Sequence, residues 1–207
     1  MNILAFDTCL DKTYVTLYDG QKYLNKVILS KDENYHSAYL ISTIVEVLKS
    51  VGLTPSDLDY ITTDIGPGSF TGIRACTTVA RILAQQLNIG LVGVSSLEIL
   101  SQILGGNDIV ALDARKNKAY FYDKEIKGAL ELEEVDNLVK GQNIITDDSL
   151  YNRLKESGGE VISYQQKDYP LGEILTKIAQ QKIESEVDTD WRKLKPLYIQ
   201  PPPVFKK

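Results

Sequence analysis

An α/β fold built from two similar lobes is what this 207-residue sequence predicts. Three observations carry the expectation. Short apolar runs of strand length alternate with longer stretches of helical period. The opening Asn2-Ile-Leu-Ala-Phe-Asp7 returns 106 residues later as Asp108-Ile-Val-Ala-Leu-Asp113. A glycine-rich stretch, Asp64-Ile-Gly-Pro-Gly-Ser-Phe-Thr-Gly-Ile-Arg74, joins an apolar run to a helical one. At the same offset Ile3 meets Ile109, Ala5 meets Ala111, Asp7 meets Asp113, Lys12 meets Lys118 and Tyr14 meets Tyr120. Self-similarity at that distance suggests a duplicated domain rather than a solenoid. The expected division is residues 1–105 and 106–207.

The elements follow in order. Asn2–Asp7, Thr13–Tyr18 and Tyr23–Ser30 read as an antiparallel meander, with Asp19-Gly20 in the second turn. Ser37–Val51 is helical, with Leu40, Ile44, Val47 and Val51 on one stripe. Tyr39, Ile41, Val45 and Leu48 widen the apolar arc, so this helix is either deeply buried or meets another chain. Tyr60–Thr63 is a buried strand and Gly72–Leu87 a helix, its core stripe Ile73, Cys76, Ala80, Leu83 and Leu87. The small residues Ala75, Thr78 and Ala84 permit close helix approach, and Arg74 and Arg81 share a face. Gly90–Val94 is a strand, capped by Ser95 or Ser96 into a helix that Gly105-Gly106 ends. After the second strand-turn-strand come helix Glu133–Lys140, strand Asn143–Thr146, helix Ser149–Ser157, strand Val161–Tyr164 and helix Leu171–Ile183. The tail, with Trp191, Tyr198 and Pro201-Pro202-Pro203, is expected to run extended over the surface.

In the glycine stretch, glycines allow positive φ or close backbone approach, and Pro67 fixes one φ. Ser69 or Thr71 caps the following helix, whose N-terminal amides suit an anion. The stretch matches neither a P-loop nor a GxGxxG fingerprint, so a tightly turned helix start without ligand is the competing reading.

Composition narrows the function classes. A net charge of −5 and a pI near 5.0 argue against strong nucleic-acid binding by the chain alone. Arg115-Lys-Asn-Lys118 and Lys193, Lys195, Lys206 and Lys207 read as solvated surface charge. The lone His36 and the separated Cys9 and Cys76 make a His/Cys zinc site or a hydrolase triad unexpected. No membrane span is visible, the start lacks the basic region of a secretory signal, and reduced, cytoplasmic thiols are expected.

Two halves that each end a first strand on Asp describe an actin-like or Hsp70-like (ASKHA) ATPase-type layout. There the hairpin turns Thr8–Lys12 and Ala114–Lys118 would flank a nucleotide. The candidate nucleotide residues are Asp7, Thr8, Gly66, Gly68 and Asp113. Both turns lack glycine, which weakens close phosphate approach. Met1–Thr8, His36-Ser37, Gly66–Arg74, Asp113-Ala-Arg115, Tyr120 and Pro196-Leu-Tyr198 together resemble the TsaB family, across most of the chain.

The resemblance implies a subunit of the bacterial machinery for N6-threonylcarbamoyladenosine in tRNA, paralogous to the catalytic subunit TsaD. TsaD carries a metal-binding His-x-x-x-His where this chain has Ser96 and Leu100, so the resemblance implies no catalytic residues and no metal here. It implies TsaD and TsaE as partners, tRNA reached through the complex, and a homodimer when alone. The modified adenosine would lie next to the anticodon in tRNAs reading codons that start with A. No tightly held cofactor is implied, with ATP or ADP at the complex interface. The expected partner surface is Leu40, Ile44, Val47, Arg74, Ala75, Thr78, Arg81 and Ala84. Asn117-Lys118 and Gln200 depart from the family's Gly-Glu and Arg. The competing readings are a stand-alone actin-like ATPase or kinase, with Asp7 or Asp113 as base, and a peptidase acting on its partner.

Overall fold

A computed structural model describes residues 1–28, 39–106, 108–157 and 159–200. The end of the third predicted strand at Ser30, the helix start at Ser37, His36, the triple proline, Lys206 and Lys207 lie outside the described residues. The chain forms two compact units, Met1–Ser96 with Gly172–Leu197, and Leu97–Leu171 with the segment that starts at Tyr198. It thus crosses between units more than once, where the sequence suggests a single division after residue 105.

The first unit carries β1 (Ile3–Asp7), β2 (Thr13–Tyr18), β3 (Tyr23–Ile28), α1 (Leu40–Ser50), β4 (Tyr60–Asp64), α2 (Phe70–Leu87) and β5 (Gly90–Val94). Its sheet runs β3-β2-β1-β4-β5. The first three strands are antiparallel neighbours, and β1, β4 and β5 are parallel. Strand alternation sends Leu4, Phe6, Val15, Leu17 and Ile61 to one face, where they meet Leu40, Ile44, Val47, Leu48, Ile73, Cys76, Ala80 and Ala84 of the two helices. The other face holds Ala5, Asp7, Tyr14, Thr16, Thr62 and Asp64. It receives α6 (Leu171–Glu184) through Gly172, where an added Cβ would lie 1.9 Å from Thr16 Oγ1. Asn25 donates to Glu173 at 2.8 Å, fastening the same helix to β3.

The short α3 (Ser96–Leu100) follows β5. The second unit then repeats the scheme with β6 (Ile109–Arg115), β7 (Lys118–Asp123), β8 (Glu125–Glu131), α4 (Leu132–Leu138), β9 (Ile144–Thr146), α5 (Asp148–Leu154) and β10 (Val161–Ser163). Its order, β10-β9-β6-β7-β8, has the same strand directions as the first. Both units are therefore βββαβαβ in one topology, which is the duplicated α/β unit expected. Strand β8 went unread in the sequence, because Glu125-Ile-Lys-Gly-Ala-Leu-Glu131 sits at an edge and buries little.

Candidate functional site

The glycine stretch folds as a turn between β4 and α2. Ser69 caps α2, accepting from Gly72 N at 3.3 Å. Gly66 sits at φ +101°, and the Gly66–Pro67 peptide is cis. The close approach the glycines allow is made to the chain itself. A Cβ on Gly68 would lie 2.3 Å from Cys9 O, and one on Gly72 would lie 1.8 Å from Thr8 O. Ser69 N donates to Cys9 O at 2.8 Å. The β1–β2 turn thus packs directly against the backbone of Gly68 and Gly72. Thr8 Oγ1 donates to Gly72 O at 2.8 Å. With that proton engaged, Cys76 S–H donates to Thr8 Oγ1 at 2.9 Å, while Thr8 N donates to Cys76 Sγ at 2.9 Å.

A buried polar cluster surrounds this seam. Asp7 is wholly buried and accepts from Cys9 N at 2.5 Å. Burial pushes its carboxyl up to about 6, against the pull of the Cys9 and Leu10 donors. Asp64, equally buried at the end of the neighbouring strand, is pushed well above the carboxylate range by burial and then by the charge of Asp7. It accepts from Gly66 N at 2.6 Å, and Ser96 Oγ lies 2.8 and 2.7 Å from its two oxygens. One hydroxyl carries one proton, so both contacts are satisfied when the Asp64 carboxyl is itself protonated and donates back. Tyr14 stands opposite Asp7 across β1 and β2, and among the described residues its buried hydroxyl has no hydrogen-bond partner, nor does that of Thr62. Burial, then the charge of Asp7, lifts the Tyr14 phenol well above its usual range.

Of the candidate nucleotide residues, the fold brings Asp7, Thr8, Gly66 and Gly68 together in the first unit. Asp113 belongs to the second unit, where it is exposed and its N donates to Asp147 at 2.6 Å. Ser96 and Leu100 are both fully buried on α3.

The expected partner surface needs correction. Leu40 at 0%, Ile44 at 5%, Val47 at 3% and Ala84 at 0% exposure lie in the core of the first unit, because their stripe is the one that meets the sheet. They are not available to another chain. Arg74, Thr78 and Arg81 are exposed, and Ala75 is half-buried. The apolar side chains on the outer faces are Tyr39, Ile41 and Val45 beside or on α1, and Phe70 and Ile82 on α2. Arg74 stacks over the Phe70 ring at 5.4 Å. The wide apolar arc read on the first helix is thus divided: Leu40, Ile44, Val47 and Leu48 are core, and Tyr39, Ile41 and Val45 stay outside. The other feature missed is the meeting of Cys9 and Cys76, which only the seam between Thr8 and Gly72 brings together.

No described helix is long and apolar enough to cross a membrane. A family model described as TsaD, tRNA N6-adenosine threonylcarbamoyltransferase, matches residues 24–183. The tRNA threonylcarbamoyladenosine biosynthesis protein TsaB of Bacillus subtilis (strain 168) is 33% identical over 165 residues, covering 78% of this chain and 69% of that protein. The protein of the same name from Buchnera aphidicola subsp. Schizaphis graminum is 39% identical over 103 residues, 48% of this chain and 47% of that one. YeaZ from Pseudomonas aeruginosa superposes with a TM-score of 0.77 at 22% identity, covering 95% of this chain and 99% of that one. An uncharacterized Pseudomonas aeruginosa protein described as similar to the peptidase YEAZ gives 0.81 at 23%, covering 96% and 99%. The two structures establish the shared fold, and the sequence matches establish the kinship: this chain belongs to the TsaB family.

Proposed function

We propose that the chain is a non-catalytic subunit in the formation of N6-threonylcarbamoyladenosine in tRNA, and that it binds and supports TsaD. The observation that carries the reading is that, on a chain of the TsaB family, the apolar side chains of Tyr39, Ile41, Val45, Phe70 and Ile82 are exposed on or beside α1 and α2, with Arg74 and Arg81 exposed on α2. Exposed apolar side chains with arginine among them suit a protein interface. Without TsaD the same helices would pair two copies of the chain about a twofold axis, so homodimer and heterodimer would compete.

The absence of catalysis is supported by the place of the TsaD histidines. Ser96 holds Asp64 and Leu100 is core, so neither presents an imidazole to a metal. Tight nucleotide binding by this chain alone is disfavoured by the carbonyls of Thr8 and Cys9 against Gly72 and Gly68. ATP or ADP belongs, on this reading, to the complex with TsaD and TsaE in the cytoplasm. The net charge of −5 supports contact with tRNA through that complex rather than directly. The substrate adenosine would be the one beside the anticodon in tRNAs reading codons that begin with A. The test is reconstitution with purified TsaD, TsaE, tRNA and the activated threonylcarbamoyl donor. Modified adenosine is expected only when both this chain and TsaD are present. Transfer by this chain without TsaD, or undiminished transfer when this chain is omitted, would overturn the proposal.

A further inference from the structure

The seam between the β1–β2 turn and α2 holds one carboxylate and two thiols that the proposed subunit role does not use. One ligand atom each from Asp7, Cys9 and Cys76 lies within 4.8 Å of the other two, all three buried. Tetrahedral zinc with two sulfur ligands sets them about 3.8 Å apart. Closing the cluster on such an ion therefore needs a shift of about 1 Å at most, within the reach of side-chain torsions. The set of two sulfurs and one oxygen selects a thiophilic cation over magnesium or calcium. A second observation points the same way. Tyr14 lies beside Asp7 across the strand pair, and its buried hydroxyl has no hydrogen-bond partner among the described residues. A hydroxyl so placed would meet the water that completes a three-ligand site.

We propose that Asp7, Cys9 and Cys76 form a site for a soft divalent cation of the zinc class, with a metal-bound water as fourth ligand facing Tyr14. On binding, the two thiols release their protons to solvent and the sulfurs bond the metal as thiolates, with no change of oxidation state. Thr8 N, which donates to Cys76 Sγ, then stabilises a thiolate, and the Thr8 hydroxyl keeps its bond to Gly72 O. The ion would tie the β1–β2 turn to α2 across the seam where Gly68 and Gly72 already press on it. Because the site is interior, the ion enters as the seam forms, and its binding energy adds to folding. The inference is independent of the partner-binding role.

The experiment refolds the full chain from denaturant under a thiol reductant, with Zn²⁺ or Co²⁺ present, then desalts it. One zinc per chain should remain. The cobalt form should show thiolate-to-metal charge transfer and the visible bands of a tetrahedral site, and zinc should raise the denaturation midpoint. Cys9→Ser and Cys76→Ser, checked for fold by circular dichroism, should each lose retained metal, and Asp7→Asn should weaken retention at least about 10-fold. Wild-type protein that refolds with no retained zinc and no thiolate charge transfer overturns the proposal, whatever the variants do. Retention equal to wild type in folded Cys76→Ser overturns it as well.

Discussion

The two units share a sheet order and strand directions, yet they differ in how far each buries its chemistry. In the first, α1 spans 11 residues and α2 spans 18, whereas their counterparts α4 and α5 span 7 each. The first unit has a glycine turn between β4 and α2. The second passes from β9 to α5 through Asp147 alone, which caps the helix by accepting from Leu150 N. The hairpins differ most. Asp7 faces Tyr14, while Asp113 faces Ala119, and Tyr120 is set opposite Leu112 by a bulge between Asp113 and Arg115. The facing of the two strands differs as well: Asp7 alternates away from the helical core that Leu4 and Phe6 enter, whereas Asp113 keeps step with Ile109 and Ala111, which face the core of α4 and α5. A shared topology has let one unit enclose an acid-thiol seam and leave the corresponding acid of the other in solvent.

The largest expected difference between the units lies in their glycines. Gly72→Ala drives a Cβ to 1.8 Å from Thr8 O, and should cost about 3 kcal/mol or more by overpacking. Gly141→Ala in the second unit meets nothing within 4 Å and carries only the strain of φ +70°, about 1 kcal/mol. Urea midpoints of the two variants decide it, and equal losses would show that the seam is not the tight place.

Acid titration sharpens the same contrast. The Asp7 carboxyl, at about 6 in the folded chain against an ordinary 3.8, binds its proton more tightly when folded. Its contribution to stability is thus full below the ordinary value and is lost as pH rises through about 6, and Asp64 acts in the same direction. The loss from Asp7 is about 3 kcal/mol at most, from roughly two units at 1.36 kcal/mol each. With a chelator present, Asp7→Asn should flatten the fall of the denaturation midpoint between pH 4 and pH 6. A slope unchanged in the variant would place the titrating group elsewhere.

A smaller effect is expected at the second hairpin, where Arg115, Lys116 and Asn117 all take positive φ. Asparagine tolerates that region better than most residues with a Cβ. Asn117→Val should cost about 1–2 kcal/mol and Asn117→Gly less than about 0.5 kcal/mol, read from the same midpoints. Similar costs for both would mean that the turn relaxes out of the left-handed region.

Most of the fold was legible because its strands are short apolar runs and its helices keep a 3.6 period. A cap at Ser69 or Thr71, the glycine turn and the doubled unit could all be read from residue type and spacing, and the structure settles the cap on Ser69. Three things could not. Strand β8 is held by pairing along an edge, which leaves little apolar signal in Glu125–Glu131. The facing of β6 is invisible to a match at fixed offset, because apolar residues fill both of its faces, so Asp7 and Asp113 looked equivalent. The division of α1 into core and outer strip depends on its rotation about its own axis. Leu40, Ile44, Ile41 and Val45 are all apolar, and only packing against Phe6 and Val15 decides which pair is inside.

That last division supplies the most direct test of the account. Ile41 is 63% exposed on α1 and Ile44 is 5% exposed three residues on. Ile41→Glu should leave the denaturation midpoint within about 0.5 kcal/mol of wild type. Binding of this folded variant to purified TsaD, followed by isothermal titration calorimetry beside wild type, is the measurement. At least a 10-fold weaker complex, about 1.4 kcal/mol, is expected from a carboxylate set among the exposed apolar side chains of α1. Wild-type affinity for TsaD with Ile41→Glu and Val45→Glu combined in a folded chain would contradict it, and would put the partner surface elsewhere.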